Sequence, residues 1–342
     1  MIEKREILDA SARELGYSRP VALLLQCLSF GEWPGGPGGP GGPGGPASGA
    51  GFLADETVRT AIFAVGQLND LLPAVAYRHA RHCLPNDAAS EPVTGSTNGE
   101  QQLRDHLASH RYRCIMQRKC LVEVARALNG CGIEPWLMTS ADVVWSGQPR
   151  WQYARGLGVL VPHDGLDRAK AALAGLGYAQ ARRLDQAGYT SETQWLRADL
   201  SGWLALAGAG DNPGIERIVP DSKIENSGSR AEADGAVVRL LPPPLAMVHA
   251  MLHHHTCKGQ GWRKTTTLKS LYEFGWRVNQ ATNAEREMLR DLADCNRALA
   301  EVMDAWLEAS KRVFNLAAGI GREWVNRGDR LNVRINSADG SI

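Results

Sequence analysis

The chain has 342 residues, 44% of them hydrophobic and 22% charged, and its 38 lysines and arginines against 37 aspartates and glutamates leave a formal charge of +1. That length buries a full core without disulfide or metal support, so a small stapled scaffold is excluded. The charge balance excludes an overall polycation, and nucleic-acid binding would need a local basic patch. Seven cysteines (Cys27, Cys83, Cys114, Cys120, Cys131, Cys257, Cys295) are an odd number with no CxxC pair, which suits a reducing cytoplasm. The opening MIEKREILDASAREL has no apolar stretch, and the longest one, Val21 to Phe30, is far too short to span a bilayer and contains Gln26. No export signal or membrane anchor is expected.

Residues 3–30 carry helical spacing through Ile7, Leu8, Leu15, Val21, Leu24 and Leu25, interrupted near Pro20. The run PGGPGGPGGPGGP from Pro34 to Pro46 is a solvated linker, stiffened by proline and loosened by glycine. A helix is predicted from Asp55 to about His82, then a polar linker over 84–99. The strongest helical signal runs from Glu100 to Leu128, with Leu103, Leu107, Cys114, Leu121, Val124 and Leu128 on one stripe and Gly130 placed to stop it. An apolar segment follows at Ile133 to Met138, then the extended GLGVLV of Gly156 to Val161, then a short helix from Asp164 to Leu176 closed by Gly177. Further extended segments are Gln194 to Leu206, after Tyr189, and Ala236 to Leu241, ended by Pro242, Pro243 and Pro244. Helices return from Leu245 to His255, Thr266 to about Val278, and Asn283 to about Leu316.

The segments LVEVARALNGCGIEPWLMTSADVVW (Leu121 to Trp145) and GLGVLVPHDGLDRAKAALAGLGY (Gly156 to Tyr178) resemble a bacterial uncharacterised nucleotidyltransferase family of the polymerase-beta-like superfamily. Members show a long helix, a "gI.v.lLKG" strand and turn, a "DIDLLV" strand and a helix ending in "L..LGY". The resemblance runs from about residue 100 to beyond Pro244, where PPLAMVHAMLHHH is similar to the family's His-bearing helix. It implies an α+β fold, a small mixed sheet of the nucleotidyltransferase type flanked by N-terminal and C-terminal helices. Carboxylates at i and i+2 on a strand share a face, so an Asp-x-Asp pair with a third carboxylate from a neighbouring strand can hold two magnesium ions beside a triphosphate. At the matching positions this chain has Gly156 and Gly158, which supply no side-chain oxygen. Met138 and Thr139 stand where the family shows Lys-Gly. Asp199, in RADLSGW, is the counterpart of the third carboxylate, and one carboxylate cannot hold two metals. A rearranged site would draw on Asp142, Asp164 or Glu192. Read as structure, GLGVLV is a buried strand whose glycines let a neighbour approach closely; it does not open a helix, so a dinucleotide loop is not expected.

Other residues keep two readings open. His249 and His253 stand at i, i+4 and would share a helix face able to grip a borderline metal, or they are a partly solvated helix end. Ser140, Lys258, Arg263 and Lys264 are phosphate-contact candidates, the last three in the basic loop CKGQGWRK, which otherwise is solvated charge. Arg104, Arg111, Arg113, Arg118, Lys119 and Arg126 give the long helix a basic side, suited either to an anionic partner or to water. It is read as lacking aromatic interleaving, so no nucleic-acid role is expected. Trp136, Trp145, Trp151, Trp195 and Trp203 gather around the α/β block as core, with some available to a cleft or interface. No Gly-x-Ser-x-Gly elbow or HExxH is present, and Ser201 and His163 are isolated in sequence.

These readings divide the chain into a helical region over 1–99 with its Gly/Pro linker at 34–50, a nucleotidyltransferase-like domain over 100–244, C-terminal helices over 245–318 and a flexible tail over 319–342. The expected function is a degenerate, non-catalytic nucleotidyltransferase-like protein that serves a bacterial biosynthetic system in the cytoplasm, with no cofactor and with a small-molecule or protein partner, away from nucleic acid and membrane. The alternative is an active enzyme using relocated carboxylates, Mg²⁺ and a nucleoside triphosphate to transfer a nucleotide to a small-molecule, sugar or peptide acceptor.

Overall fold

A computed structural model describes residues 19–29, 56–83, 98–147, 156–161, 165–180, 188–190, 197–202, 228–256, 265–295, 297–316 and 332–334. The Gly/Pro linker and nearly all of the polar linker lie outside them. Helix α1 is Arg19–Leu28, and it buries Val21, Leu24, Leu25 and Leu28. The single helix expected from Asp55 is two, α2 (Glu56–Leu68) and α3 (Leu72–Cys83). Pro73 explains the break, since it has no N–H to donate and its ring clashes with the preceding turn, so it sits at a helix start. Asp70 takes a left-handed φ of 56°, and Leu71 N–H donates back to Gly66 O at 2.8 Å.

Helix α4 runs Asn98–Gly130. It ends at Gly130 as expected, and the reversal follows two residues on: Gly132 has the positive φ (73°), and Ile133 N–H closes the turn on Leu128 O at 3.0 Å. The remaining elements are β1 (Trp136–Leu137), α5 (Thr139–Ser146), β2 (Gly156–Val161), α6 (Leu166–Gly175), β3 (Ala179–Gln180), β4 (Gly188–Thr190), β5 (Arg197–Gly202), β6 (Ser229–Ala233), β7 (Ala236–Leu240), α7 (Pro243–Thr256), β8 (Thr265–Thr267), α8 (Leu268–Gln280), α9 (Asn283–Cys295), α10 (Arg297–Phe314) and β9 (Asn332–Arg334). The helix expected over 283–316 is thus two, α9 and α10. Thr282 and Glu285 start α9 as a capping box, with Thr282 N–H donating to Glu285 Oε2 at 2.7 Å and Glu285 N–H to Thr282 Oγ1 at 3.3 Å. Strand β9 lies inside the segment expected to be a tail, and it pairs in parallel with β8.

Seven strands form one mixed sheet in the order β3-β4-β5-β2-β1-β7-β6, so the fold is α+β. Strand β2 runs parallel to β5 and antiparallel to β1, and β1 runs parallel to β7. The β6–β7 hairpin was missed by periodicity, although its turn, Asp234-Gly235, is a strong hairpin signal. Both residues have positive φ, 51° and 70°. Gly235→Ala forces a Cβ into the left-handed region and is expected to lower stability by about 1–2 kcal/mol. A urea titration checks this.

One apolar cluster joins Leu121, Val124 and Leu128 of α4 with Leu137, Val144, Val159, Val161, Leu173 and Val238 under the sheet. Asn129 pins the end of α4 to β7: its Nδ2 donates to Val237 O at 2.9 Å while its Oδ1 accepts Val237 N–H at 2.7 Å. A second cluster joins α1, α2 and α3 to α7, α8, α9 and α10 around Trp306, Tyr272 and Phe314. Trp306 meets Phe274 edge-on at 5.4 Å.

Candidate functional site

Strand β2 lies between β1 and β5, and its register sets Gly156 opposite Arg197 and Gly158 opposite Asp199. The chain therefore brings the backbone of the Gly-x-Gly pair and that of Asp199 to adjacent strands. The other neighbour decides what the glycines do. Met138, just past β1, donates its N–H to Gly158 O at 2.9 Å, and its buried side chain occupies the space above Gly158. A Cβ added to Gly158 would lie 2.9 Å from Met138 Cβ and 3.5 Å from Cγ. Carbon atoms do not approach that closely, so a side chain at 158 requires the strands to move. Met138 thus fills the room beside Gly158 that a side chain there would need.

Helix α5 begins at Thr139, just after β1, and Ser140 stands in its first turn. Asp142 follows. Its carboxylate accepts from Arg277 of α8, with Nη1 to Oδ2 at 3.2 Å, Nη2 to Oδ1 at 3.2 Å and Nη2 to Oδ2 at 3.1 Å, and from Val143 N–H at 2.7 Å. Side-chain exposure is only 17% for Asp142 and 12% for Arg277. Burial pushes the Asp142 carboxyl above the usual range, against the pull of the Arg277 charge and hydrogen bonds. Glu134, next to β1, is held by Arg230 Nε at 3.1 Å and Arg239 Nε at 3.2 Å. The Arg230 hydrogen bond is the main reason its carboxyl stays below the usual range. Asp142 and Glu134 are each committed to arginines. Neither fits the role of a relocated metal ligand, and Asp164 and Glu192 lie outside the described residues.

His249 is half-buried on α7, with His253 one turn further along the same helix. Among the described residues no group of three or more His, Cys, Asp or Glu is arranged to hold a metal. Lys258, Arg263 and Lys264 lie outside the described residues. Of the basic residues on α4, Arg126 has a structural task, donating through Nε and Nη2 to Asp234 O, the former at 2.8 Å, and so fixing the β6–β7 turn. Trp136 and Trp145 are buried, as expected of core, and Arg239 stacks 5.5 Å from the Trp136 ring. Trp151, Trp195 and Trp203 lie outside the described residues. Among the described residues no helix is long and apolar enough to cross a membrane.

A cleft of about 210 Å³ opens between the α2–α3 turn and the middle of α4, lined in part by Gln67, Asp70, His106, Ser109, His110 and Arg113. Burial, and then the nearby Arg113 charge, push the His106 imidazole below its ordinary value. Cys114 Sγ lies 3.4 Å from His110 Nε2, and burial pushes that thiol up, which makes it a poor nucleophile. The sequence signal for this cluster is the spacing of four that joins His106, His110 and Cys114 on one helix face.

No protein-family model matches this sequence, and no curated protein is significantly similar to it. Among solved structures, an antigenic nucleotidyltransferase-like protein from Paracoccidioides brasiliensis is 15% identical, with 55% of this chain and 93% of that chain covered, at a TM-score of 0.32. That score establishes no common fold.

Proposed function

We propose that the chain is a nucleotidyltransferase-like protein whose metal centre has degenerated, and that it works by binding, as an accessory to a bacterial biosynthetic system, rather than by catalysis. The sheet would be the nucleotidyltransferase sheet, and the N-terminal and C-terminal helices would flank it. One observation carries the reading: the Cβ position of Gly158 is closed by Met138 at 2.9 Å. A two-metal site needs several oxygen ligands in near-octahedral order. Gly156 and Gly158 bring none, and the nearby Asp142 and Glu134 are held by arginines. The residues at β2 therefore do not fit a magnesium pair. Asp199, facing Gly158 in register, is a carboxylate position left without its companions.

Calorimetric titration of the full chain with ATP, CTP, GTP and UTP, each with and without Mg²⁺, tests the proposal. The expected outcome is no binding, or binding indifferent to Mg²⁺. A strict Mg²⁺ requirement would restore the catalytic reading and overturn this one.

A further inference from the structure

We propose that the outward stripe at the middle of α4 docks an acidic, amphipathic helix of a partner protein. Tyr112, Ile115 and Met116 are 66%, 56% and 40% exposed. Their i, i+3, i+4 spacing places them on one face of the helix. The opposite face, through Leu107, His110, Gln117 and Leu121, is already buried, and among the described residues the exposed three add nothing to a core. Large apolar side chains held in water together on a regular element mark an interaction surface.

The charge around them is one-sided. From residue 106 to residue 122 the sequence HLASHRYRCIMQRKCLV contains no aspartate or glutamate, while Arg111, Arg113, Arg118 and Lys119 are all cationic. At about 100° per residue Arg113 falls on one flank of the stripe, Arg118 on the other, and Lys119 extends it by one turn. Arg113, Arg118 and Lys119 are exposed. Tyr112 lies between Arg111 and Arg113, so the aromatic interleaving thought to be lacking is present. Exposed acids, Asp105 and Glu123, close the patch at either end and limit its length.

An apolar stripe between basic flanks is the complement of an apolar stripe between acidic flanks. A nucleic acid would engage the bases but leave Ile115 and Met116 with nothing apolar to meet. Three apolar side chains over little more than one turn are also a small anchor for a bilayer. The acidic helix uses every exposed group of the patch. It is independent of whether β2 holds a metal.

The test uses the full chain and two labelled helical peptides of about five turns. Both carry leucine at i, i+3, i+4 and i+7, one with glutamate and the other with lysine on the flanks. Fluorescence anisotropy should show binding of the glutamate peptide, weakening as salt is raised. The triple change Tyr112→Ser, Ile115→Ser, Met116→Gln should weaken it at least about tenfold with the melting temperature retained, because the stripe faces water. The triple change Arg113→Glu, Arg118→Glu, Lys119→Glu should transfer preference to the lysine peptide. The proposal is overturned by equal affinity for the two peptides, or by no binding of the glutamate peptide. Binding of phosphatidylserine vesicles or single-stranded RNA that depends on the same residues in place of the peptide overturns it too, as does a dimer in sedimentation that the apolar triple change dissolves.

Discussion

Arg277→Met is expected to cost about 3–5 kcal/mol, because it leaves the Asp142 carboxylate buried without its cation. The two side chains belong to elements 135 residues apart, α5 on the sheet and α8 in the helical layer, and three contacts of 3.1–3.2 Å join them. Removing one partner is far more costly than removing both, so adding Asp142→Asn to Arg277→Met should recover much of the loss. A double-mutant cycle by chemical denaturation measures the difference. The two partners also predict a pH dependence. Burial raises the Asp142 carboxyl in the folded chain, so the folded state binds the proton more tightly than the unfolded state. The resulting stabilisation is full below the unfolded carboxyl value and is lost as pH rises through the raised folded one. Without Arg277 the folded value rises further, so the Arg277→Met variant should lose stability with rising pH over a wider window than the native chain. Asp142→Asn should abolish that contribution, and matching pH profiles for the two single variants would refute the assignment.

Gly158→Asp, which would supply half of the Asp-x-Asp pair of the resembled family, should instead destabilise the protein by about 3 kcal/mol or more, the sum of overpacking and of placing a carboxylate in a partly buried site. Gly158→Ala isolates the steric part, expected at about 1–3 kcal/mol. The obstructing atom is Met138 Cβ, not the flexible end of the side chain. Met138→Ala should therefore fail to rescue Gly158→Asp, whereas Met138→Gly should relieve the contact. Thermal melts of the four variants separate these outcomes. A Gly156→Asp, Gly158→Asp chain that stays native and gains Mg²⁺ binding would show that Met138 yields more readily than its backbone-linked Cβ suggests.

The sequence carried the elements with strong periodicity or terminal signals. The long helix, the GLGVLV strand, the short helix closed by Gly177 and the extended segment before Pro242 all lie where the pattern places them. It failed where a local rule competed with an apolar stripe. Pro73 splits one helix, the Thr282 and Glu285 capping box opens another, and Asp234-Gly235 builds a hairpin, each by turn chemistry that apolar spacing does not register. The site was legible only in part. Glycines at 156 and 158, without side-chain oxygens, could be read directly, as could Met138, each by itself. Their contact could not be read, because it depends on the antiparallel register of β1 and β2. Arg277 left no trace near Asp142 in sequence, since a buried ion pair between distant elements has no local period.

The second core has a bearing on how the chain is made. Helix α1 packs on α10, so Val21, Leu24 and Leu28 share a cluster with Leu299, Met303 and Trp306. During synthesis the early apolar face can pack on α2 and α3 as soon as they emerge, but its native cover is complete only once residues beyond 300 follow, a delay on the order of tens of seconds at ribosomal speed. Over that interval this core stays partly open, and a stop codon before α10 would leave α1 without the cover that Leu299, Met303 and Trp306 supply.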